Sequence, residues 1–343
     1  MKKMSFGKTK AGEEAFLYNI SRPGLCVSVT DYGACIVNLY AMDQEGNAID
    51  VMLGYDDVSG YEAGGCHFGA PVGRNANRIG GAAFDIGGVH YELAKNNNGN
   101  NLHSGPDYYE KRIWKVVDFN DHQIAFSLNS PDGDQGYPGA ADISMTYEVT
   151  EDQMLKISYR AVSDKDTIIN MTNHSYFNLN GHFSGDILGH TVVLDADYFT
   201  RADSEAIPTG ELVDVTGTPM DFRSGRVIGD DIDSDYEATR LGGGYDHNWV
   251  LKNNGRFTKV AEFIGDKSKI VMEVYTDLPG IQFYTGNFIK EENGKADAEY
   301  FKRSGACFET QYFPDAIHHD NFAGPICKAG EEYKTSTGYR FRV

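Results

Sequence analysis

Residues 143–160 run Ile143-Ser144-Met145-Thr146-Tyr147-Glu148-Val149-Thr150-Glu151-Asp152-Gln153-Met154-Leu155-Lys156-Ile157-Ser158-Tyr159-Arg160. Ile143, Met145, Tyr147 and Val149 alternate with Ser144, Thr146 and Glu148. After the polar turn Thr150 to Gln153, Leu155, Ile157 and Tyr159 alternate with Lys156, Ser158 and Arg160. Successive side chains of a strand point to opposite faces, so a period of two marks a half-buried strand. Two such runs around one turn predict a meander hairpin.

Working outward, Gly87-Gly88 stands between Phe84-Asp85-Ile86 and Val89-His90-Tyr91. Paired glycines accept the positive φ of a type I′ hairpin turn. Further strands are expected over Cys26 to Val29, Ile36 to Tyr40, Ile270 to Tyr275 and Gly338 to Arg342. Helical periodicity is confined to short stretches such as Asp56 to Tyr61. The 39 Gly, 21 Tyr and 19 Phe suit many strands joined by tight turns. The expected fold class is therefore all-β, a large antiparallel β-sandwich with few short helices. No Pro/Ser-rich linker or shift of composition divides the 343 residues, so a single domain over 1–343 is expected.

The formal net charge of −19 repels phosphate backbones and anionic leaflets. It argues against nucleic acid or a membrane surface as partner. The apolar runs are far shorter than the ~20 residues needed to span a bilayer. Met1-Lys2-Lys3 resembles the start of a signal peptide, but charged residues follow where an apolar segment would stand. The five cysteines, Cys26, Cys35, Cys66, Cys307 and Cys327, are scattered and form no C-x-x-C pair, which suits reduced thiols. A cytoplasmic protein is expected, with all five structural. The acidic stretch Asp230 to Glu237 fails as a calcium loop, with Tyr236 where Gly belongs and Gly242 where Glu belongs. It is expected to be a solvated loop.

Phosphate-loop, dinucleotide-fold, H-E-x-x-H and G-x-S-x-G patterns are all missing from the chain. Five polar clusters stand out instead, each beside apolar or aromatic residues: Gly73 to Ile79, Asn96 to His103, Asn173 to Leu179, Gly244 to Trp249 and Phe308 to Asp315. Amide, guanidinium, imidazole and carboxylate groups beside flat aromatic faces suit a polyhydroxylated ligand. Each sugar hydroxyl donates and accepts, while the ring C–H faces pack on apolar surface. Taken singly, each residue also has a structural reading. Asn75, Asn97, Asn98 and Asn100 suit turns, Arg78 an ion pair, His103 a hydrogen-bonded core position, and Asp246-His247 a surface turn. Glu309 follows a small apolar run and is expected to point off a strand edge into a confined space, where desolvation would raise its pKa toward that of a general base.

In order along nearly the whole chain, these clusters resemble the aldose 1-epimerase family, the galactose mutarotases. The matching pieces are Gly73-Arg74 with Ala76-Asn77-Arg78-Ile79, Leu102-His103, Asn173 to Leu179, Tyr245-Asp246-His247, Gln282 to Asn287, Glu309-Thr310-Gln311 and Pro314-Asp315. The resemblance implies a single β-sandwich with an open sugar cleft. It implies Glu309 as general base and His174 as general acid. Arg78, His103 and Asp246 would hold the sugar, with Asn77 and Gln282 in further binding or orienting positions. Two departures are visible: Ser104 stands where a glycine is usual, which bears on the loop, and Trp249 fills a position more often Phe or Tyr, which bears on the pocket's width.

The implied reaction removes the O1 proton of a free aldose such as galactose or glucose, protonates the ring oxygen, and recloses the ring from the other carbonyl face. Glu309 as carboxylate and His174 as imidazolium suit this at neutral pH. It requires no cofactor and no metal, and the expected partner is a small-molecule monosaccharide, with the protein a monomer or homodimer. Competing readings are a glycosidase, which would need two carboxyl groups, a sugar binder without turnover, and an enzyme of phosphorylated sugars, for which the motifs offer only Arg74 and Arg78 as anion clamps.

Overall fold

The computed structural model describes residues 2–290 and 292–343. Alternation in the stretch quoted above yields the antiparallel strands Ala141–Val149 and Met154–Ser163, with Met145 opposite Tyr159 and Tyr147 opposite Ile157. Ile143, Met145, Tyr147, Ile157 and Tyr159 are buried, as their shared face requires. This hairpin is the middle of a nine-stranded sheet. The strands run in the order Lys115–Phe119, Gln123–Ser130, Ala141–Val149, Met154–Ser163, Glu332–Arg342, Val271–Thr276, Thr258–Ile264, Thr191–Leu194 and Arg226–Val227.

Two five-stranded sheets and several two-stranded pairs accompany it. The first is a meander of Lys2–Lys8, Glu14–Arg22, Leu25–Thr30, Ile36–Met42 and Ala48–Asp50. The second runs Pro208–Asp214, Tyr198–Ala202, Asp246–Val250, Gly280–Tyr284 and Cys307–Gln311. One apolar cluster joins all three: Val27 and Leu39 from the meander, Tyr147 and Ile157 from the large sheet, and Trp249, Phe283 and Phe308 from the third. Each such side chain removed from water contributes about 1.5–3 kcal/mol, and their continuity binds the sheets into a β-sandwich.

Every strand expected from the sequence is present, with ends displaced by a few residues. Gly87 and Gly88 join Ala83–Ile86 to Val89–Glu92 with φ of +60° and +78°, the left-handed pair that a type I′ turn needs. Three short α-helices occur among the described residues: Val58–Ala63, Ile228–Asp231 and Glu237–Gly242. The first starts where the Asp57 side chain accepts the Ser59 and Gly60 N–H groups at 2.9 and 3.2 Å.

The acidic stretch Asp230 to Glu237 is solvated as expected, with Asp230, Asp233, Asp235 and Glu237 exposed, but it is not simply a loop. It enters both later helices, and Asp231 and Asp233 are drawn onto Arg226 and Arg303. Of these two partners, Arg303 is distant in sequence and Arg226 is a near neighbour.

The third sheet positions the chemistry. All residues of Gly280–Tyr284 and Cys307–Gln311 are buried, so both faces of these strands are covered. Ile281, Phe283 and Phe308 join the apolar cluster. Gln282 and Glu309, which oppose one another in register, therefore share the other face.

Candidate active site

That face forms the floor of an open cleft of about 430 Å³. Glu309, His174, Arg78, His103, Asp246, Asn77 and Gln282 all line it. Glu309 lies on the edge strand of its sheet and points into this confined cleft. It sits in the interior of the last strand of its sheet and reaches the cleft because alternate side chains of that strand face away from the core.

His174 ends the strand Thr172–His174, which pairs with Ala70–Val72. Its Nε2 lies 3.7 Å from Glu309 Oε1, and Glu309 Oε2 has no hydrogen-bond partner among the described residues. Burial pushes the Glu309 carboxyl well above the usual range, with Asp246 adding to the effect and Arg78 opposing it. Burial, reinforced by His67, pulls the His174 imidazole down to about 3. Both shifts favour the neutral forms, the reverse of the carboxylate and imidazolium expected from sequence. The neutral pair and the ion pair carry the same number of protons, so one converts to the other by internal transfer. On the far edge of the ring, Cys307 Sγ lies 3.4 Å from His174 Nδ1. Burial holds the Cys307 thiol well above its ordinary pKa. An intact thiol can donate to a bare Nδ1 or accept from a protonated one.

The sugar-facing groups are tied to one another. The Asn77 N–H donates to His103 Nδ1 at 3.1 Å, and the His103 N–H returns to the Asn77 carbonyl at 3.0 Å. Nδ1 being an acceptor, the His103 proton sits on Nε2, and burial keeps this imidazole neutral. Arg78 is aligned by its Nε donating to Asn97 Oδ1 at 3.1 Å. Gln282 Nε2 donates to Asp246 Oδ1 at 2.7 Å.

Several positions differ from their sequence reading. Asn97 is more than a turn residue, since it lines the cleft and holds Arg78. Trp249 is fully buried in the core and does not set the cleft's width. It alternates with Asn248 on its strand, and its Nε1 donates to the Met220 carbonyl at 3.1 Å. Ser104 adopts the left-handed φ of +58° open to a glycine, held there because its hydroxyl accepts the Asn75 N–H at 2.8 Å. Arg74 is wholly buried and donates to the Pro138 and Gly139 carbonyls at 2.8 and 2.9 Å, so it is structural. Sequence reasoning missed Tyr284 and Phe288, whose rings stack 6.2 Å apart at the cleft, and also His67. Tyr284 lay within the recognised Gln282 to Asn287 piece, whereas Phe288 and His67 belong to no cluster, so only the fold reveals those two.

The arrangement can pass a proton between two buried groups and bind hydroxyls around them. The ligand atoms of His103, His174 and Glu309 all lie within 4.8 Å of one another, a set that could also hold a cation.

A family model described as aldose 1-epimerase matches residues 17–340. The galactose mutarotase of Bos taurus is 39% identical over 329 residues, covering 95% of this chain and 94% of that protein. The aldose 1-epimerase of Escherichia coli K12 is 35% identical over 321 residues, covering 93% of this chain and 92% of that protein. Among solved structures, an aldose epimerase homologue from C. elegans superposes with a TM-score of 0.88 at 28% identity, covering 96% of this chain and 99% of that one.

Proposed function

This chain belongs to the aldose 1-epimerase family and is an isomerase that interconverts the α and β anomers of aldoses; on that premise we propose that Glu309 is its general base and His174 its general acid. Arg78, His103, Asp246, Asn77 and Gln282 hold the sugar, and galactose or glucose is the substrate. The observation that carries this reading is the buried His174–Glu309 pair, 3.7 Å apart with one carboxylate oxygen unpartnered, facing a sugar-sized cleft.

As the sugar enters, its O1 hydroxyl donates to Glu309 and its ring oxygen accepts from His174 Nε2. These contacts favour the ion-pair arrangement of the shared proton. Glu309 then takes the O1 proton, the electrons of that O–H bond form the C1=O1 double bond, and the C1–O5 bond breaks toward O5. O5 receives the proton of His174. The open-chain aldehyde therefore stands beside a neutral carboxyl and a neutral imidazole, the arrangement that burial favours. A poorly solvated cleft thus lowers the barrier to ring opening by cancelling charge. Rotation about C1–C2 presents the other carbonyl face, and reclosure runs the transfers backward. The protein returns to its starting state, so the cycle calls for no cofactor.

Among the described lining residues Arg78 is the one Lys or Arg, which supports an unphosphorylated aldose over a sugar phosphate. We further propose one working domain over 1–343, a monomer or homodimer in the cytoplasm, with no nucleic-acid or membrane partner. The apolar core shared by the three large sheets and the free thiols of Cys35, Cys66, Cys307 and Cys327 support this, and no described helix is long and apolar enough to cross a membrane.

Polarimetry on freshly dissolved α-galactose and α-glucose tests the assignment. Wild type should speed mutarotation, and Glu309→Gln should lose about 10²-fold or more in kcat. Turnover by Glu309→Gln within about threefold of wild type would refute Glu309 as the base.

A further inference from the structure

His67 also faces the cleft, beside the residues given roles above. Its Nδ1 meets both oxygens of Glu110, at 2.7 and 2.8 Å, and the two side chains are 14% and 6% exposed. Glu110 is rigidly placed. Gly33, at φ +70°, approaches it so closely that a Cβ there would stand 2.3 Å from the Glu110 carbonyl oxygen. The His67 backbone takes a left-handed φ of +58°, rare for a residue with a side chain. Its ring centroid lies 5.4 Å from that of His103, 5.5 Å from His174 and 5.0 Å from Tyr108. Among the described residues, His67 Nε2 has no hydrogen-bond partner. Glu110 does not line the cleft, so the ring edge opposite Nδ1 is the one turned into it.

We propose that His67, clamped by Glu110, is a further sugar-binding and specificity-determining residue, whose Nε2 contacts one hydroxyl of the bound aldose beside His174. This rests on the aldose reading above. A buried carboxylate that fixes a ring nitrogen leaves the opposite nitrogen pre-aimed, which lowers the ordering cost of a ligand contact. A hydroxyl suits this edge because it can donate to a bare Nε2 or accept from a protonated one, whereas the ring oxygen only accepts.

The test is mutarotation of galactose and its monodeoxy derivatives by wild type, His67→Phe and Glu110→Gln, with melting curves for each. His67→Phe keeps a ring among its aromatic neighbours and should raise the galactose KM about tenfold with kcat within about threefold. Glu110→Gln should raise KM less, and it decides the matter if the Phe variant does not fold. One monodeoxy sugar, lacking the contacted hydroxyl, should have the same KM on variant and wild type. Folded variants with unchanged galactose KM, or equal sensitivity across every deoxy sugar, would overturn the proposal. Failure of the acid–base reading is separable, because it appears as turnover retained by Glu309→Gln, whatever His67 does to KM.

Discussion

His174 Nε2 and Glu309 Oε1 face each other at 3.7 Å, with side chains only 7% and 3% exposed. That separation is too long for a direct hydrogen bond, and Glu309 Oε2 is left unpartnered as well. A buried carboxyl without a partner is costly unless it is neutral or a ligand completes it. The pair is therefore incomplete by itself, and under the proposed mechanism the two sugar oxygens of the reaction complete it.

The pH profile should reflect this burial. A histidine acid in water would lose or gain its proton near pH ~6.5, but the His174 value is pulled down to about 3. In the free enzyme a second proton therefore enters the pair only far below that point. We expect kcat/KM to stay within about threefold of its neutral value down to about pH 5. Stopped-flow polarimetry showing a midpoint near 6.5 would contradict a buried neutral imidazole.

Cys307 should act through His174, without touching sugar. Its Sγ lies 3.4 Å from Nδ1 and serves either protonation state of the ring. Cys307→Val keeps the volume and removes this partner, so kcat should fall about tenfold with KM nearly unchanged. Cys307→Ser should restore much of kcat. If Val and Ser behave alike, the contact is packing only.

Arg78 is predicted to serve binding more than turnover. Arg78→Ala should raise the galactose KM about tenfold or more. Asn97→Ala, which frees the guanidinium by removing the Nε contact at 3.1 Å, should raise it less. Initial-rate measurements over a range of sugar concentrations separate the two, and an unchanged KM for Arg78→Ala would remove it from the binding set.

Acid should destabilise the fold through its histidines. Burial lowers His103 well below its ordinary value, His174 to about 3, and His190 and His247 to about 4. Below about pH 6.5 the unfolded chain binds protons that the folded chain refuses, so stability present above that pH is lost as pH falls, by up to about 1.4 kcal/mol per pH unit per imidazole. Glu309 works against this over the same range, since its raised carboxyl is protonated in the folded state first. His182 is lowered as well, while Asp31 and Asp277 are raised and act with Glu309; the lowered imidazoles still outnumber the raised carboxyls, so Tm should fall from about pH 6.5 to about pH 4.5. A flat Tm over that range would contradict the buried neutral state.

The legible parts of this protein were local or carried by motif. Alternation from Ile143 to Tyr159 marked its strands because side-chain direction in a strand depends only on adjacent residues. The seven predicted cleft residues lay in recognisable clusters, and the fold gathers all of them. Trp249 was misjudged because a motif carries no information about which face a side chain takes, and that face is set by the register of Asp246–Val250 against Gly280–Tyr284. Asn97 was taken for a turn residue because nothing nearby in sequence reveals that Arg78 will reach it. The dyad of His67 and Glu110, 43 positions apart, had no signal at all.

By itself, then, the amino-acid order determined the all-β class and the aldose 1-epimerase kinship, and it pointed to Glu309 and His174 as the proposed base and acid, since these follow from short-range periodicity and ordered motifs. Only the tertiary structure decided the burial that shifts Glu309 and His174 toward their neutral forms, the burial of Trp249 and Arg74, and the turning of His67 into the cleft. Desolvation is a property of everything packed around a group, contributed by strands from every part of the chain, and no stretch of sequence holds it.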